Sequence, residues 1–406
     1  MDYDVVIAGG GLNGCTLALA LARGGLSVAI VDPVRSERRA DPGFDGRSYA
    51  LSIASKTMLS TLDLWPVLGE GAQPILDIRI SDGRVGSGPS PLTLEFDHAE
   101  IEEGPMGFMV EDRHLRPALL DAVADETGIT ALNGASVSGQ RVDASGIEVT
   151  LDDGQALRAQ VLVGCDGRRS GVAARAGIRR QGWEYGQSAL VAAIAHERPH
   201  HGTAHQYFLP EGPLAILPLK GDRSSIVWTE RSERAHTLMK LPEADYLEVL
   251  RPRFGDFLGD ISLAGARFTY PLSLGVAERF VAPRIALAGD AAHNVHPIAG
   301  QGLNAGLRDV ASLAEVLILA RRRGEEIGRA DVLARYEQWR RFDVNALAIA
   351  TDGFNRLFSN DNPALRLMRD TGLAVVNRLP GLRRTFIREA AGLTGDRPAL
   401  LSGRPI

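Results

Sequence analysis

The opening stretch limits the fold more than any other part of this chain. Asp4 to Ala8 reads as a short apolar strand, Gly9-Gly10-Gly11-Leu12-Asn13-Gly14 fits GxGxxG, and Cys15 to Arg23 continues as an apolar helix. Ser27 to Val31 is a second strand, ending at Asp32. This is a βαβ unit, the building block of parallel sheets. Gly9 can make the tight turn, Gly11 lets a pyrophosphate approach the backbone, and Gly14 lets the helix pack on the sheet. Free N–H groups at the helix start face the anion, and Asp32 can accept hydrogen bonds from an adenosine ribose. A glycine-rich turn without a ligand explains only part of this set. The motif alone does not separate NAD from FAD.

Composition narrows the class. The 406 residues carry 45 Lys+Arg against 50 Asp+Glu, a net charge of −5, so the chain lacks the basic balance of a nucleic-acid binder. Cys15 and Cys165 are the two cysteines and have no ligand spacing, so neither a disulfide framework nor a zinc site is expected. Met1 to Asp4 contains no basic region leading into an apolar stretch, so no secretion signal is expected and the expected location is cytoplasmic. The longest apolar run, Val310 to Ala320, is interrupted by Glu315 and falls short of the ~20 residues that cross a bilayer.

Further along, the spacing predicts helices over Leu51 to Leu62 and Glu111 to Glu126, and strands over Gly146 to Leu151 and Ala156 to Val163. Between Ser188 and Tyr270 short strand candidates dominate, notably Ala189 to Ala195, Leu214 to Leu219 and Ser225 to Thr229. Arg284 to Ala288 reads as a buried strand, and beyond Asp309 the pattern is helical to the end. The expected fold is α/β: a Rossmann-like dinucleotide-binding domain from residues 1–75, 100–180 and 280–330, an inserted β-sheet substrate domain from 76–99 and 181–279, and a C-terminal helical region, 331–406.

Two further elements carry chemistry. Val163 to Ser170 is a strand running into Asp166-Gly167, a pair that alone reads as an ordinary turn. Gly289-Asp290-Ala291-Ala292-His293 is followed by His296-Pro297 and by Gly300-Gln301-Gly302-Leu303-Asn304, with Asp309 beyond. Here a strand delivers a carboxylate and a glycine-rich loop opens a helix. Asp290 can bind a ribose or ribityl hydroxyl, and the helix start near Gly302 to Asn304 can stabilise negative charge on a reduced ring.

GxGxxG, then DG, then GDAAH, in this order, resemble the FAD-dependent aromatic hydroxylases of the para-hydroxybenzoate hydroxylase type. The stretch from His296 to Asp309 resembles the signature of the ubiquinone-biosynthesis hydroxylases within that class, and Asp45-Gly46-Arg47, Gly212 to Leu219 and Val227-Trp228 agree. The resemblance covers nearly the whole chain. It implies an FAD site whose ADP end comprises Gly9, Gly11, Leu12, Asn13, Gly14 and Asp32, with Asp290 at the ribityl chain and Gly302, Leu303 and Asn304 at the flavin pyrimidine. It places Arg47 and Arg113 near the phosphates or the ring, and Asp166 in contacts to FAD and a nicotinamide cofactor. Asp32 stands where many relatives carry Glu.

The resemblance also implies the activity. Reduced FAD takes O2 to a C4a-hydroperoxide, which delivers one oxygen to a polyprenylated phenol; NADH or NADPH is the expected donor, and the flavin carries the chemistry, so no catalytic residue is singled out. Trp228, Phe268, Tyr270, His296 and Pro297 are candidates for the substrate pocket, each weighed against a purely core role. His200, His201 and His205 read as a solvated loop, and no metal site is expected. Hydroxylation of a small soluble aromatic, a flavin-dependent prenyl reductase, and a catalytically weak flavin-bound subunit of a membrane-associated assembly stay open beside the main reading.

The tail from Pro363 to Leu393 carries Arg366, Arg369, Arg378, Arg383, Arg384 and Arg388 among Leu365, Met368, Leu373, Val376, Leu379 and Phe386. Two readings follow: peripheral contact with an anionic inner membrane, alongside other quinone-biosynthesis proteins, or a helix packed on its own domain.

Overall fold

A computed structural model describes residues 1–41, 43, 45–86, 88–297, 300–358 and 378–406. Among these residues twenty strands form three sheets. The first contains β1 (Tyr3–Ala8), β2 (Val28–Asp32), β8 (Ile129–Asn133), β9 (Val137–Val142), β10 (Ile147–Leu151), β11 (Ala156–Gly164), β18 (Val281–Ala282) and β19 (Ile285–Leu287). The second contains β5 (Asp77–Arg84), β6 (Gly88–Asp97), β12 (Arg180–His196), β13 (Thr203–Leu209), β14 (Gly212–Leu219), β15 (Arg223–Arg231), β16 (Ile261–Leu263), β17 (Phe268–Ala277) and β20 (His293–Asn294). A small third sheet joins β3 (Ser48–Ser52), β4 (Gln73–Ile75) and β7 (Gly107–Glu111). The helices are α1 (Leu12–Arg23), α2 (Ser36–Arg39), α3 (Ile53–Thr61), α4 (Trp65–Leu68), α5 (Asp112–Asp125), α6 (Gly171–Arg175), α7 (Ser232–Met239), α8 (Glu243–Phe254), α9 (Gln301–Arg322), α10 (Ala330–Phe358) and α11 (Pro380–Ala390).

In the first sheet β19, β11, β1, β2 and β8 run parallel in that spatial order. Val5, Val6 and Ile7 are wholly buried, as a strand covered on both faces must be. Helix α1 packs on α9 and α5, and its buried Leu17, Leu19 and Leu21 share one core with the strands. The second sheet is largely antiparallel and lies in the order β20, β17, β12, β15, β14, β13, β5, β6.

One face of the second sheet is closed by α7 and α8, whose Leu238, Tyr246, Leu250 and Phe254 pack on Leu190, Ile194, Ile226 and Trp228. Those two helices fall inside the segment read as strands. Their apolar positions recur at helical steps between charged residues, a weaker signal than the β-branched runs on either side.

The two sheets are tied where β19 ends. The Asp309 carboxylate of α9 accepts hydrogen bonds from the Gly289 amide (3.0 Å) and the Arg340 Nε (2.8 Å), and it lies 2.6 Å from His293 Nε2. Asp309 is wholly buried, and His293 and Arg340 nearly so. Burial pushes the Asp309 carboxyl up, but the His293 and Arg340 charges and their hydrogen bonds outweigh it and hold it below the ordinary value. A group with a depressed folded-state pKa contributes stability above its unfolded pKa and loses it as pH falls through the folded one. Asp309→Ala removes the buried carboxylate from Arg340 Nε, His293 and the Gly289 amide, leaving Arg340 only its half-exposed partner Asp343 at 2.7 Å, and the expected loss is about 3–5 kcal/mol in urea unfolding. The wild type is expected to lose stability as pH falls below about 4, and Asp309→Asn to lose less over the same window. Equal acid sensitivity of the two proteins would contradict the assignment.

Candidate functional site

Two close approaches and one open position shape the glycine turn. Gly9 has φ +102°, and a Cβ there would stand 2.4 Å from the Cys165 carbonyl oxygen. A Cβ on Gly14 would stand 1.9 Å from the Gly9 oxygen, whereas a Cβ on Gly11 would meet nothing within 4 Å. Gly9 and Gly14 are therefore glycine so that the chain can close on itself, and Gly11 so that a space in front of α1 stays open. Helix α1 has Gly11 as its N-cap and no side chain capping its first amides. Half-buried Leu12 opens the helix at this space.

Asp32 closes β2 with its Oδ2 accepting from the Gly10 amide at 2.7 Å and its Oδ1 from Val34 at 2.8 Å. Arg39 lies 3.6 Å from the same carboxylate and bonds the Gly10 carbonyl and Asn133. Sequence reasoning passed over Arg39; the available signal was a basic residue soon after an acid-ended second strand.

A second open helix start faces this one. Gly300 caps α9 in the left-handed conformation, φ 63°, with no side chain on the first amides, and nothing lies within 4 Å of a Cβ on Gly302. Asn13 joins the two termini: a Cβ on Gly289 would stand 2.2 Å, and one on Gly306 2.5 Å, from its Nδ2. Its Oδ1 is buried without a partner, as is Asp166 Oδ1, while Asp166 Oδ2 accepts from the Val172 amide at 3.1 Å. Asp290 stands half-exposed on the turn after β19, 3.4 Å from Arg168 Nε, and Arg180 holds the Asp290 and Ala291 carbonyls at 2.7 and 2.9 Å.

Asn304 is occupied by the protein. Its Oδ1 accepts from the Ser52 amide and Ser55 Oγ at 2.9 and 2.7 Å, and its Nδ2 donates to the Ala50 and Gly300 carbonyls. It therefore pins β3 and α3 to the start of α9, leaving the backbone there to meet a ligand. Leu303 packs half-buried against the main core.

The two arginines diverge. Arg47 lies 2.7 Å from Asp45, 3.3 Å from Asp112 and 6.0 Å from the Phe268 ring centroid. Arg113 bonds Glu111 at 2.6 Å and lines a cavity of about 370 Å³ with Glu70, His114, Lys220 and Arg223, so the structure does not bring it to the glycine turns. Asp112 and Arg116 share the inner face of α5 with Tyr49, and Arg113 is rotated about 100° from Asp112 by the helix. Arg116, which bonds Asp112 at 2.8 Å, is the arginine of this helix that faces Tyr49.

On the second sheet Trp228 belongs to the far face. It is 1% exposed, its ring lies 5.9 Å from that of Tyr246 on α8, and Arg253 sits over it, so it is core and not pocket lining. Period-two alternation sends Phe268 and Tyr270 to the other face, where Tyr270 lies under Arg168. Phe268, Val191, Val227, Ala215, Gln206 and Ile80 are register partners in turn across six strands, and each is only partly covered. The next row in toward Ala193 is roofed by the Gly46 backbone. His296 is wholly buried and Pro297 half-buried beside the α9 start. His205 is on β13 and not in a loop, and burial lowers its pKa to about 4.

These residues fit an FAD: two uncapped helix starts with open glycines suit pyrophosphate and pyrimidine, and two orphaned buried oxygens, on Asn13 and Asp166, await donors.

The comparisons agree with this geometry. The FAD binding domain family matches residues 2–350. The ubiquinone hydroxylase UbiL of Rhodospirillum rubrum is 47% identical, over 99% of this chain and 93% of its own length. The 3-demethoxyubiquinol 3-hydroxylase of Escherichia coli is 34% identical over 96% of this chain and 98% of its own. The human ubiquinone biosynthesis monooxygenase COQ6 is 32% identical over 96% and 92%. In fold, the p-nitrophenol 4-monooxygenase of Pseudomonas putida superposes with a TM-score of 0.80 over 97% of this chain and 98% of that one, at 21% identity.

Gly11→Ala is expected to leave apo-protein stability within about 1 kcal/mol of wild type yet to weaken FAD binding about tenfold or more. Gly14→Ala is expected to lose the folded state itself. Asp290→Ala is expected to lower bound flavin with little change in urea midpoint. Unchanged flavin content in folded Gly11→Ala or Asp290→Ala protein would refute the placement.

Proposed function

The chain belongs to the FAD-dependent hydroxylases of ubiquinone biosynthesis, and on that premise we propose that it hydroxylates the ring of a polyprenylated phenol with O2. The observation that favours a long-tailed substrate over a small soluble aromatic is the partly open row from Phe268 to Ile80. Six strands at about 4.8 Å spacing make this floor roughly 24 Å long. Gln206 is the single polar side chain along it. A small ring needs only the Phe268 end, whereas an isoprenoid chain uses the whole length.

Bound FAD supplies the activation of O2, and NADH or NADPH is the proposed source of its electrons. The protein's part is placement and exclusion of water. The open amides at the start of α9 would stabilise negative charge on the pyrimidine side of a bound flavin, since a fixed donor needs no rearrangement when charge develops. Asn13 ties α1 to the segment that opens α9 and Asn304 ties β3 and α3 to the same start, so that these elements would grip pyrophosphate and ring together. Phe268 and Tyr270 present aromatic surface towards the same space.

Peripheral membrane contact is part of the same proposal. On α11 Arg383 and Arg388 are held by Glu100 and Glu103, but Leu379, Leu382 and Phe386 stand exposed at three- and four-residue steps beside Arg384. The remaining tail positions of that reading, Leu365, Arg366, Met368, Arg369, Leu373 and Val376, lie outside the described residues. A surface of this kind suits an enzyme that collects its substrate from a bilayer.

The test is mass spectrometry of quinone intermediates in bacteria lacking one ring hydroxylase at a time and expressing this chain. Loss of one accumulated phenol with ubiquinone restored is the expected result, and it names the ring position. Failure in every strain with folded, flavin-loaded protein would overturn the reading. Val227→Trp, which fills the middle of the row, is expected to raise KM for a long-tailed phenol about tenfold or more, while a single-prenyl phenol is turned over as before. Equal effects on both would remove the row from the substrate site.

A further inference from the structure

His296 stands apart from the other histidines of the interior. His196 bonds the Arg198 carbonyl and Ser224 Oγ, His200 the Leu219 carbonyl, His205 the Tyr207 hydroxyl, and His293 the Asp309 carboxylate. His296 is wholly buried, yet neither Nδ1 nor Nε2 has a hydrogen-bond partner among the described residues. A buried imidazole in this state has given up its hydration at both nitrogens for nothing, which native interiors avoid unless the group serves a ligand. Its ring meets the Tyr185 ring edge to face at 5.3 Å, a contact that supports the ring and leaves the nitrogens free.

Its position says which ligand. His296 follows β20 on the edge of the second sheet and lies four residues before Gly300, the open start of α9. We propose that His296 is a catalytic residue that accepts the proton of the substrate's ring hydroxyl, a role that rests on the phenol-hydroxylase reading above. In this step the phenol O–H bond breaks, an N–H bond forms on the imidazole, and the electron pair stays on oxygen as phenolate. Nothing is oxidised or reduced. The phenolate pushes electron density into the ring carbons that take up oxygen, and a base in place at the moment of transfer lowers that barrier.

The surroundings suit the task. Leu274, Val295 and Ala348, with Leu347 and Val276 at the margin, enclose the neighbourhood in apolar surface. Burial lowers the His296 pKa to about 4, which keeps the ring neutral with a free lone pair near pH 7 but weakens it as a base; Asp352 works in the opposite sense, as does the negative charge left on the substrate oxygen when the proton moves. Tyr185 of β12 donates to Asp352 Oδ1 at 3.1 Å, and Asp352 of α10 is paired with Arg356 at 2.9 Å at the exposed end of the helix. Tyr185 and Asp352 are therefore polar neighbours of the imidazole on its α10 side, joined to each other and leaving both ring nitrogens to the substrate.

The experiment compares flavin-loaded wild type, His296→Phe and His296→Gln, using 2-prenylphenol and its methyl ether as probes. Binding is read from the change in the flavin spectrum, and turnover from hydroxylated product as a function of pH. Wild type is expected to prefer the phenol to the ether by about tenfold or more. His296→Phe is expected to keep flavin and ether affinity, to lose that preference, and to lose about a hundredfold or more in rate near pH 7. The rate returns at high pH, or with a fluorinated, more acidic phenol. If His296→Phe does not fold, His296→Gln carries the test, because it can hydrogen-bond the phenol but cannot take its proton: phenol binding persists and the new pH dependence appears. An unchanged phenol preference in His296→Phe, or equal rate losses for ordinary and acidic phenols, overturns the role. Absence of product from wild type sinks the hydroxylase reading instead, so the two failures are told apart.

Discussion

Everything in this molecule turns on how one buried carboxylate is satisfied. Asp309 sits in the apolar interior of α9 with no access to water, where an unpaired charge is not tolerated. It is stable there because the Gly289 amide, His293 and Arg340 converge on it from the end of β19, the edge of the second sheet and α10. One group thereby fixes the parallel sheet, the second sheet and the long C-terminal helix relative to the start of α9. The Asp290 turn and the Gly300 cap inherit their positions from it. Such a network is worth more as a device for geometry than as a source of net stability.

The two open helix starts are the second consequence. Asn13 can bridge them only because Gly289 and Gly306 have no side chains, and any Cβ at either position would meet its amide nitrogen at 2.2 or 2.5 Å. The pyrophosphate end and the flavin end of the site are thus built as one unit. The second sheet then lies over that unit with its small and aromatic residues inward and its bulkiest, Trp228, turned outward into α7 and α8.

Much of this was legible in the sequence. Gly9, Gly11, Gly14 and Asp32 mark β1, α1 and β2 because backbone conformation and close packing dictate residue type there, independently of the rest of the chain. The stretch from Gly289 to Asp309 was legible for the same reason, as was the two-part α/β architecture. What was not legible depends on tertiary partners. Trp228 and Phe268 are both aromatic strand residues, and only the register across β15, β12 and β17 sends them to opposite faces. Arg113 and Arg116 are both basic residues of α5, and helical rotation alone decides that Arg116 faces Tyr49 while Arg113 faces Glu111. Helices α7 and α8 are amphipathic but charge-rich, and gain their reason to fold from the sheet they cover. That His296 lacks a partner among the described residues is invisible without coordinates, since it is a statement about the atoms around it.

The central claim is that this site puts an oxygen atom onto a prenylated phenol. Its most direct test is turnover of a prenylated phenol by the purified, flavin-loaded protein under isotopically heavy O2, with NADH or NADPH as reductant and the product weighed by mass spectrometry. The account predicts a product heavier than the phenol by one labelled oxygen, located on the ring. An unlabelled product, or one that has instead gained two hydrogens on its side chain, would contradict it.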